Sequence, residues 1–143
     1  MPFRFLEDIA IADVAFSAWG ETREELFSAA AEALLATMVE ESSAIEPHDC
    51  ETIRIGHDEL DLLLFDFLSE LVFLKDARRL LLRPCSLMIE GVDDGYRLEA
   101  VMKGERIDPI RHRLLVDVKG VTLHRLAVSL VNGKWQGTVV LDI

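Results

Sequence analysis

Residues 114–143, LLVDVKGVTLHRLAVSLVNGKWQGTVVLDI, decide how this chain is read. Asn132-Gly133 is a dipeptide favoured in two-residue hairpin loops, because both central positions need a positive φ that Asn and Gly tolerate. It predicts one strand from Leu114 through Lys119, Thr122 and His124 to Val131, and a return from Trp135 to Ile143. With a period of two, Trp135, Gly137, Val139, Leu141 and Ile143 share one face of the return, and Gln136, Thr138, Val140 and Asp142 share the other. The sequence stops there, so the α-carboxylate of Ile143 is expected at a strand end beside the side chain of Asp142. Two anionic groups on one rigid element suit a hard cation.

Upstream, Ile9 to Trp19 alternates, with Ile9, Ile11, Asp13, Ala15, Ser17 and Trp19 on one side and Ala10, Ala12, Val14, Phe16 and Ala18 on the other. This is a strand with one acid among apolar neighbours. Asp13 is either an exposed acid on an edge strand or a functional group whose partner comes from elsewhere. Gly20 ends the strand, and Thr22 with Glu25 forms a capping box. Leu26, Phe27, Ala30, Ala33, Leu34, Thr37 and Met38 then recur at helical spacing to about Val39. Glu24, Glu32, Glu40 and Glu41 lie on the other side of that helix, which reads as solvated.

After a connection over 42–49 containing Pro47, Cys50 to Ile55 reads as a short strand closed by Gly56. Asp58 is placed to cap a second helix reaching about Lys75, bearing Leu60, Leu63, Leu64, Phe67, Leu68, Leu71 and Leu74. Leu62, Phe65, Val72 and Phe73 widen its apolar surface, which predicts either two flanking layers in the same chain, the favoured reading, or a subunit contact. Leu80 to Glu90 and Tyr96 to Lys103 form a second hairpin, Pro84 marks an edge or a bulge, and residues 104–109 read as a loop. The expected fold is α+β: a two-layer sandwich of two long helices on one face of a mixed, mostly antiparallel sheet of about six to seven strands, one domain over residues 1–143.

At 143 residues, half of them hydrophobic, the chain can bury a sizeable core. Its net charge of −11 repels phosphates and favours cations or basic proteins. Direct nucleic-acid binding is therefore not expected, and the cluster Lys75, Arg78, Arg79 and Arg83 reads as side chains snorkelling at a helix end. Cys50 and Cys85 are far apart and outside any Cys-x-x-Cys, so they read as buried or half-buried thiols in a reducing compartment. The N-terminus lacks a signal-peptide pattern, and charges break every long apolar run, so no membrane span is expected and the chain reads as cytoplasmic.

No phosphate-binding loop, dinucleotide fingerprint, nucleophile elbow or His-Glu-x-x-His is present. His48 and His57 flank loops and read as surface residues, and His112, between Arg111 and Arg113 near a strand start, is unremarkable. His124 and Thr122 fall on one face of the expected 114–131 strand, where His124 is either a partly buried histidine satisfying a neighbour or a general base near a ligand.

The Gly20-x-Thr22-x-x-Glu25-Leu26-Phe27-x-x-Ala30 helix start, Leu63-Leu64-x-x-Phe67-Leu68-x-Glu70-Leu71, Val118-Lys119-Gly120-Val121-Thr122-x-His124 and the terminal Leu141-Asp142-Ile143 resemble the archease family, in its order and over nearly the whole chain. That resemblance implies a non-catalytic activator of the GTP-dependent tRNA-splicing RNA ligase, promoting guanylylation of the ligase and multiple turnover. It also implies a divalent-cation site, described with calcium in the family, whose ligands fall on Asp13, Asp142 and Ile143. It further implies a functional role for Lys119, which falls on the lysine of the family motif. The family carries His-Thr-Ala-Asp in the first strand, where this chain has Ala10-Ile11-Ala12-Asp13. If the missing imidazole and hydroxyl orient the aspartate, cation affinity falls by about ten- to a hundredfold.

Two carboxylates and a chain terminus make a hard pocket suited to calcium, magnesium or manganese. Without a cation, two such charges about 4 Å apart repel by roughly 4 kcal/mol at an intermediate dielectric. Lys119 is the expected internal counter-ion. Two rival readings remain: a small metal-dependent hydrolase using Asp13, Asp142 and His124, and a chaperone-like binder using the broad second helix. The expected assembly is a monomer or weak homo-oligomer.

Overall fold

The structure, a computed structural model, describes residues 2–7 and 13–143. Its described strands are β1 (Phe3–Leu6), β2 (Asp13–Gly20), β3 (Asp49–His57), β4 (Leu80–Val92), β5 (Gly95–Arg106), β6 (Gly120–Val121), β7 (Ala127–Val131) and β8 (Lys134–Asp142). The long helices are α1 (Arg23–Met38) and α2 (Leu60–Arg78), with a 3-10 turn at Ser42–Ala44. The α+β class and antiparallel pairing are as the sequence predicts. The strands, however, divide into two sheets: one in the order β1-β2-β8-β6 with β7 also on β8, the other in the order β3-β5-β4. Ile9–Ala12, read as the start of the second strand, lie outside the described residues.

Division into two sheets explains why α1 is buried nearly all round instead of along one stripe. Ala29, Ala31 and Leu35 are buried along with the predicted Leu26, Phe27, Ala30, Ala33, Leu34 and Met38. The helix packs on β2 and β8 of one sheet and on β4 of the other, and its alanines let both approach closely. A helix apolar on every side belongs between layers. Glu24 and Glu32 are consequently not solvated spectators: Glu24 Oε2 accepts the Ile89 backbone N–H at 3.1 Å, and Glu32 pairs with Arg83 at 3.1 Å.

The predicted capping box is present, with Glu25 N–H donating to Thr22 Oγ1 at 3.1 Å and Thr22 N–H to Glu25 Oε2 at 3.0 Å. Gly20 is required at this strand-to-helix corner, since a Cβ there would lie 2.5 Å from Glu25 Cβ. The α2 cap differs from expectation: Glu59, not Asp58, is the N-cap, and its side chain makes no capping bond. The helix runs past Lys75 to Arg78 and stops at Arg79, whose φ of 55° is left-handed. Leu63, Leu64, Phe67, Leu68, Leu71 and Val72 are buried, and Phe27 stacks on Phe67 with ring centroids 6.0 Å apart. Each such burial contributes roughly 1.5–3 kcal/mol. The wide apolar surface of α2 is thus mostly intramolecular, although Phe73 remains 57% exposed.

Pro84 does mark a bulge: the β4–β5 register slips between Pro84 and Ser86, which turns Cys85 out of the ladder. Both cysteines are free and exposed, contrary to the expectation of buried thiols. The strand β5 also continues to Arg106, through the start of the expected loop at 104–109.

At the C-terminal end the Asn132-Gly133 hairpin is found, with φ of 51° and 80° joining β7 to β8. The single long strand expected before it is not. Residues 114–119 run irregularly, β6 holds only Gly120–Val121, and a turn at Leu123–Leu126 with Arg125 at φ 55° separates it from β7. Apolar alternation over 114–131 thus encodes two short pieces lying along the same partner strand, because β8 offers its edge to both.

Candidate functional site

The antiparallel register of β2 on β8 puts Asp13 opposite Asp142, Val14 opposite Leu141 and Ala15 opposite Val140. Directly opposed side chains share a face, with Cβ atoms roughly 4.5–5.5 Å apart. Ala15 and Val140, next along that face, are completely buried, so the two acids cap a dry strip of sheet. Asp13 is half-buried and Asp142 exposed. Ile143 is half-buried and packs against the core, which holds the backbone oxygens after Asp142 in place.

The third strand at this corner is β6, with Gly120 opposite Asp142 and Lys119 N–H donating to the Asp142 carbonyl at 2.8 Å. Asp142 is therefore flanked by β2 on one side and β6 on the other. No cationic side chain lies within ion-pairing distance of Asp13 or Asp142 among the described residues. Opposed like charges are destabilising, so the pair is a place where a cation would be favoured. No cluster of three or more His, Cys, Asp and Glu side chains occurs among the described residues, and a third donor here would come from main-chain oxygen at Ile143. Two carboxylates and main-chain oxygen are the donor chemistry of calcium and magnesium, which fits the site the resemblance implies.

Lys119 does not act as the expected internal counter-ion. Its side chain is exposed and pairs with neither aspartate, while its backbone is engaged in β6 pairing. The lysine that organises this corner is Lys75, which charge clustering at the helix end had suggested was merely snorkelling. It is 5% exposed, and its ammonium donates to Asp117 Oδ1 and to the Val118 carbonyl, both at 2.6 Å, and pairs with Asp76 at 2.7 Å. Burial pulls its pKa down, but the hydrogen bonds and charges of Asp117 and Asp76 outweigh that and leave it raised. The last turn of α2 thereby fixes residues 117–118, and through them Lys119 and Gly120, against β8.

Thr122 and His124 do not share a strand face, because β6 ends at Val121. Thr122 Oγ1 donates to the Val140 carbonyl at 3.0 Å and accepts the His124 N–H at 3.2 Å, which shapes the turn. The His124 side chain is exposed and forms no ion pair with either acid among the described residues. His112, unremarkable in the sequence, is buried. Its Nδ1 accepts the Asp108 backbone N–H at 2.8 Å, while Nε2 lies 3.0 Å from Arg111 Nη2 and 3.3 Å from Glu105 Oε2. Burial, reinforced by the positive charge of Arg111 and opposed by Asp108, lowers its pKa. Glu105, itself buried, is taken up by Arg111 and by the Glu46 N–H at 2.7 Å.

The model of the Archease protein family (MTH1598/TM1083) matches residues 3–143. The chain is 33% identical over 133 residues to protein archease of Thermococcus kodakarensis, covering 92% of this chain and 93% of that protein. It is 32% identical over all 143 residues to protein archease of Methanopyrus kandleri, covering 100% of both. Among solved structures, protein 1598 of Methanobacterium thermoautotrophicum superposes with a TM-score of 0.86 at 31% identity over 99% of each chain. An archease of Thermotoga maritima, described as a possible chaperone, shares the fold with a TM-score of 0.65 at 18% identity over 98% of each chain. A family match running from β1 through the Asp142 corner, joined to relatives matched at full length, means that this chain belongs to the archease family.

Proposed function

We propose that this protein is a non-catalytic activator of a GTP-dependent tRNA-splicing RNA ligase, acting through a divalent cation held by Asp13, Asp142 and the main-chain oxygens of Ile143. The observation that carries the reading is the opposed Asp13–Asp142 pair, with no cationic side chain in ion-pairing distance among the described residues, on a chain of the archease family. When bound, the cation supplies positive charge beside the nucleotide phosphates, where departing pyrophosphate needs it. The rest of the work belongs to side chains and backbone of this protein. Pairing of β2, β8 and β6 fixes both carboxylates at one rigid edge. Lys119, exposed beside them, is free to meet an anionic group on the partner or its nucleotide. Lys75 holds the backbone leading to Lys119 in register.

The test is guanylylation and multiple-turnover ligation by the purified ligase, titrated with substoichiometric amounts of wild type and of Asp142→Asn. Wild type should restore turnover at a small fraction of the ligase concentration and the variant should not. Equal stimulation by both would remove the cation from the reading. The chaperone-like alternative draws on the description of the Thermotoga relative and on exposed Phe73, and predicts binding to unfolded chains at large instead of to one ligase.

A further inference from the structure

The hairpin that closes the chain leaves one sheet edge open. β8 has β2 on one side and β6 with β7 on the other, and β7 pairs with β8 alone among the described strands. Which backbone groups of β7 face outward follows from alternation along β8. The Val140 and Asp142 carbonyls are turned to this side, where the Thr122 and Lys119 N–H groups donate to them. With a period of two, Thr138, Gln136 and Lys134 turn the same way, so their register partners Ala127, Ser129 and Val131 direct their backbone groups to β8. The N–H and C=O groups of Val128 and Leu130 therefore point away from the sheet. No backbone bond outside the strand ladders engages them among the described residues.

The other edges carry the devices that discourage strand addition. β1 has Arg4 within its four residues, β3 has Asp49, Glu51 and Arg54, and β4 has Arg83, Pro84 and a bulge. β7, Ala127-Val128-Ser129-Leu130-Val131, has no charge, no proline and no bulge. Its apolar side chains also reach past their own core. A Cβ on Gly137, which lies across from Val128, would meet Leu26 Cδ1 at 3.2 Å and Leu64 Cδ2 at 3.5 Å, so Val128 and Leu130 lie on the helix-bearing face. Val128 packs against the core there, yet Leu130 on the same face is 57% exposed, and Val131 on the other face is 40% exposed.

We infer that β7 pairs antiparallel with β7 of a second copy of this chain across a two-fold axis at Ser129, joining the two five-stranded sheets. The strand itself selects that occupant. Outward-facing residues must meet outward-facing residues, and with Ser129 opposite Ser129 the register sets Val128 of each copy against Leu130 of the other, both as hydrogen-bonded pairs. The same register sets Ala127 against Val131, so every pair except the central one is apolar on apolar, and two serine hydroxyls meet at the axis. On the helix-bearing face, Val128 and Leu130 of both copies form one cluster that covers what each alone leaves exposed. No Asp or Glu occurs between Asp117 and Asp142, so neither β7 nor the hairpin turn brings a carboxylate to the contact, and Arg125 falls opposite Gly133 instead of another cation. A contact of five residues a side falls below the roughly 1,200 Å² typical of stable interfaces, which makes the association weak and reversible. The inference is independent of the activator reading, because β7 lies along residues 134–138 of β8 and the Asp13–Asp142 corner is at that strand's other end.

Sedimentation equilibrium of the purified protein from about 10 μM to about 1 mM reads the association, over the range that a small interface populates. Wild type should shift from monomer to dimer across that range, and more so as salt rises, since screening relieves the repulsion between two chains of net charge −11. Leu130→Pro removes one outward N–H per copy, leaves the bonds to β8 in place and should weaken the dimer about tenfold or more. Ser129→Lys and Ser129→Glu each set like charges face to face at the axis and should weaken it several-fold, while an equimolar mixture of the two should associate at least as well as wild type. Amide hydrogen exchange gives a second reading: the Val128 and Leu130 amides should slow as protein concentration rises, and the Ser129 amide, already bonded to β8, should change much less. Thermal melting confirms that each variant is folded, and the two Ser129 variants report even where Leu130→Pro melts early. A monomer at every concentration and salt, or a dimer that none of the variants weakens, overturns the inference. A mixture no better than either Ser129 variant alone overturns the axis at Ser129. A monomeric wild type whose ligase binding falls in these same variants overturns the second copy as occupant and assigns the edge to a strand of that partner.

Discussion

Asp13 stands directly across the β2–β8 ladder from Asp142, and no cationic side chain among the described residues neutralises either. The two acids come from opposite ends of the sequence, yet they occupy one register position on one face. The relationship has a measurable cost and a measurable remedy.

In chelator, Asp142→Asn should raise the thermal midpoint, because it removes a like-charge cross-strand pair worth about 0.2–1 kcal/mol. Calcium should raise the midpoint of wild type progressively with concentration, since a ligand binding only the folded state stabilises by mass action. The variant should gain far less from calcium. Scanning calorimetry of both proteins in chelator and across a calcium series makes the comparison, and an identical calcium shift in the two would remove Asp142 from the ligand set.

Lys75 joins α2 to the backbone before β6, so its loss should loosen that corner. Lys75→Met keeps the stem and deletes the hydrogen bonds to Asp117 and Val118, for an expected loss of about 1–3 kcal/mol. A raised pKa in the folded state means the protein holds that proton more tightly than the unfolded chain does. The contribution is therefore complete below the ordinary lysine value of about 10.4 and declines as pH rises through the folded value. Urea titrations from pH 8 upward should show wild type losing stability more steeply than Lys75→Met, and parallel curves would contradict the assignment.

His112 works in the opposite direction. Its Nδ1 accepts the Asp108 N–H, so protonating that nitrogen breaks a bond made by a buried ring. With its pKa lowered by burial and by Arg111, the neutral form stabilises the fold above the ordinary histidine value of about 6.5. That stability is lost as pH falls from there through the folded value. Denaturation at intervals from pH 8 to pH 5 should give a decline in wild type that His112→Gln reduces, and an equal decline in both would assign the pH dependence to other groups.

How much of this was legible in the sequence follows from how local each signal is. The capping box at Thr22 and Glu25, the turn at Asn132-Gly133 and the bulge near Pro84 were readable because each is a backbone demand met by residues a few positions apart. Leu114 to Val131 reads as one strand because period-two alternation reports a half-buried extended chain. It does not report whether that chain keeps pairing, and here β8 pairs with two short pieces separated by a turn. The division into two sheets was equally hidden, since all-round burial of α1 depends on which strands approach its alanines.

Alternating faces, helix starts and the motifs shared with archeases were determined by the sequence itself, because they depend on side-chain chemistry at short separations along the chain. Only the tertiary structure decided that Asp13 meets Asp142, that Lys75 and not Lys119 is the buried, paired lysine of this corner, and that His112 is buried while His124 is not. Those outcomes depend on strand register and on how closely an element end approaches a distant loop. Such placements are set by packing the whole core at once, and no local window of residues contains them.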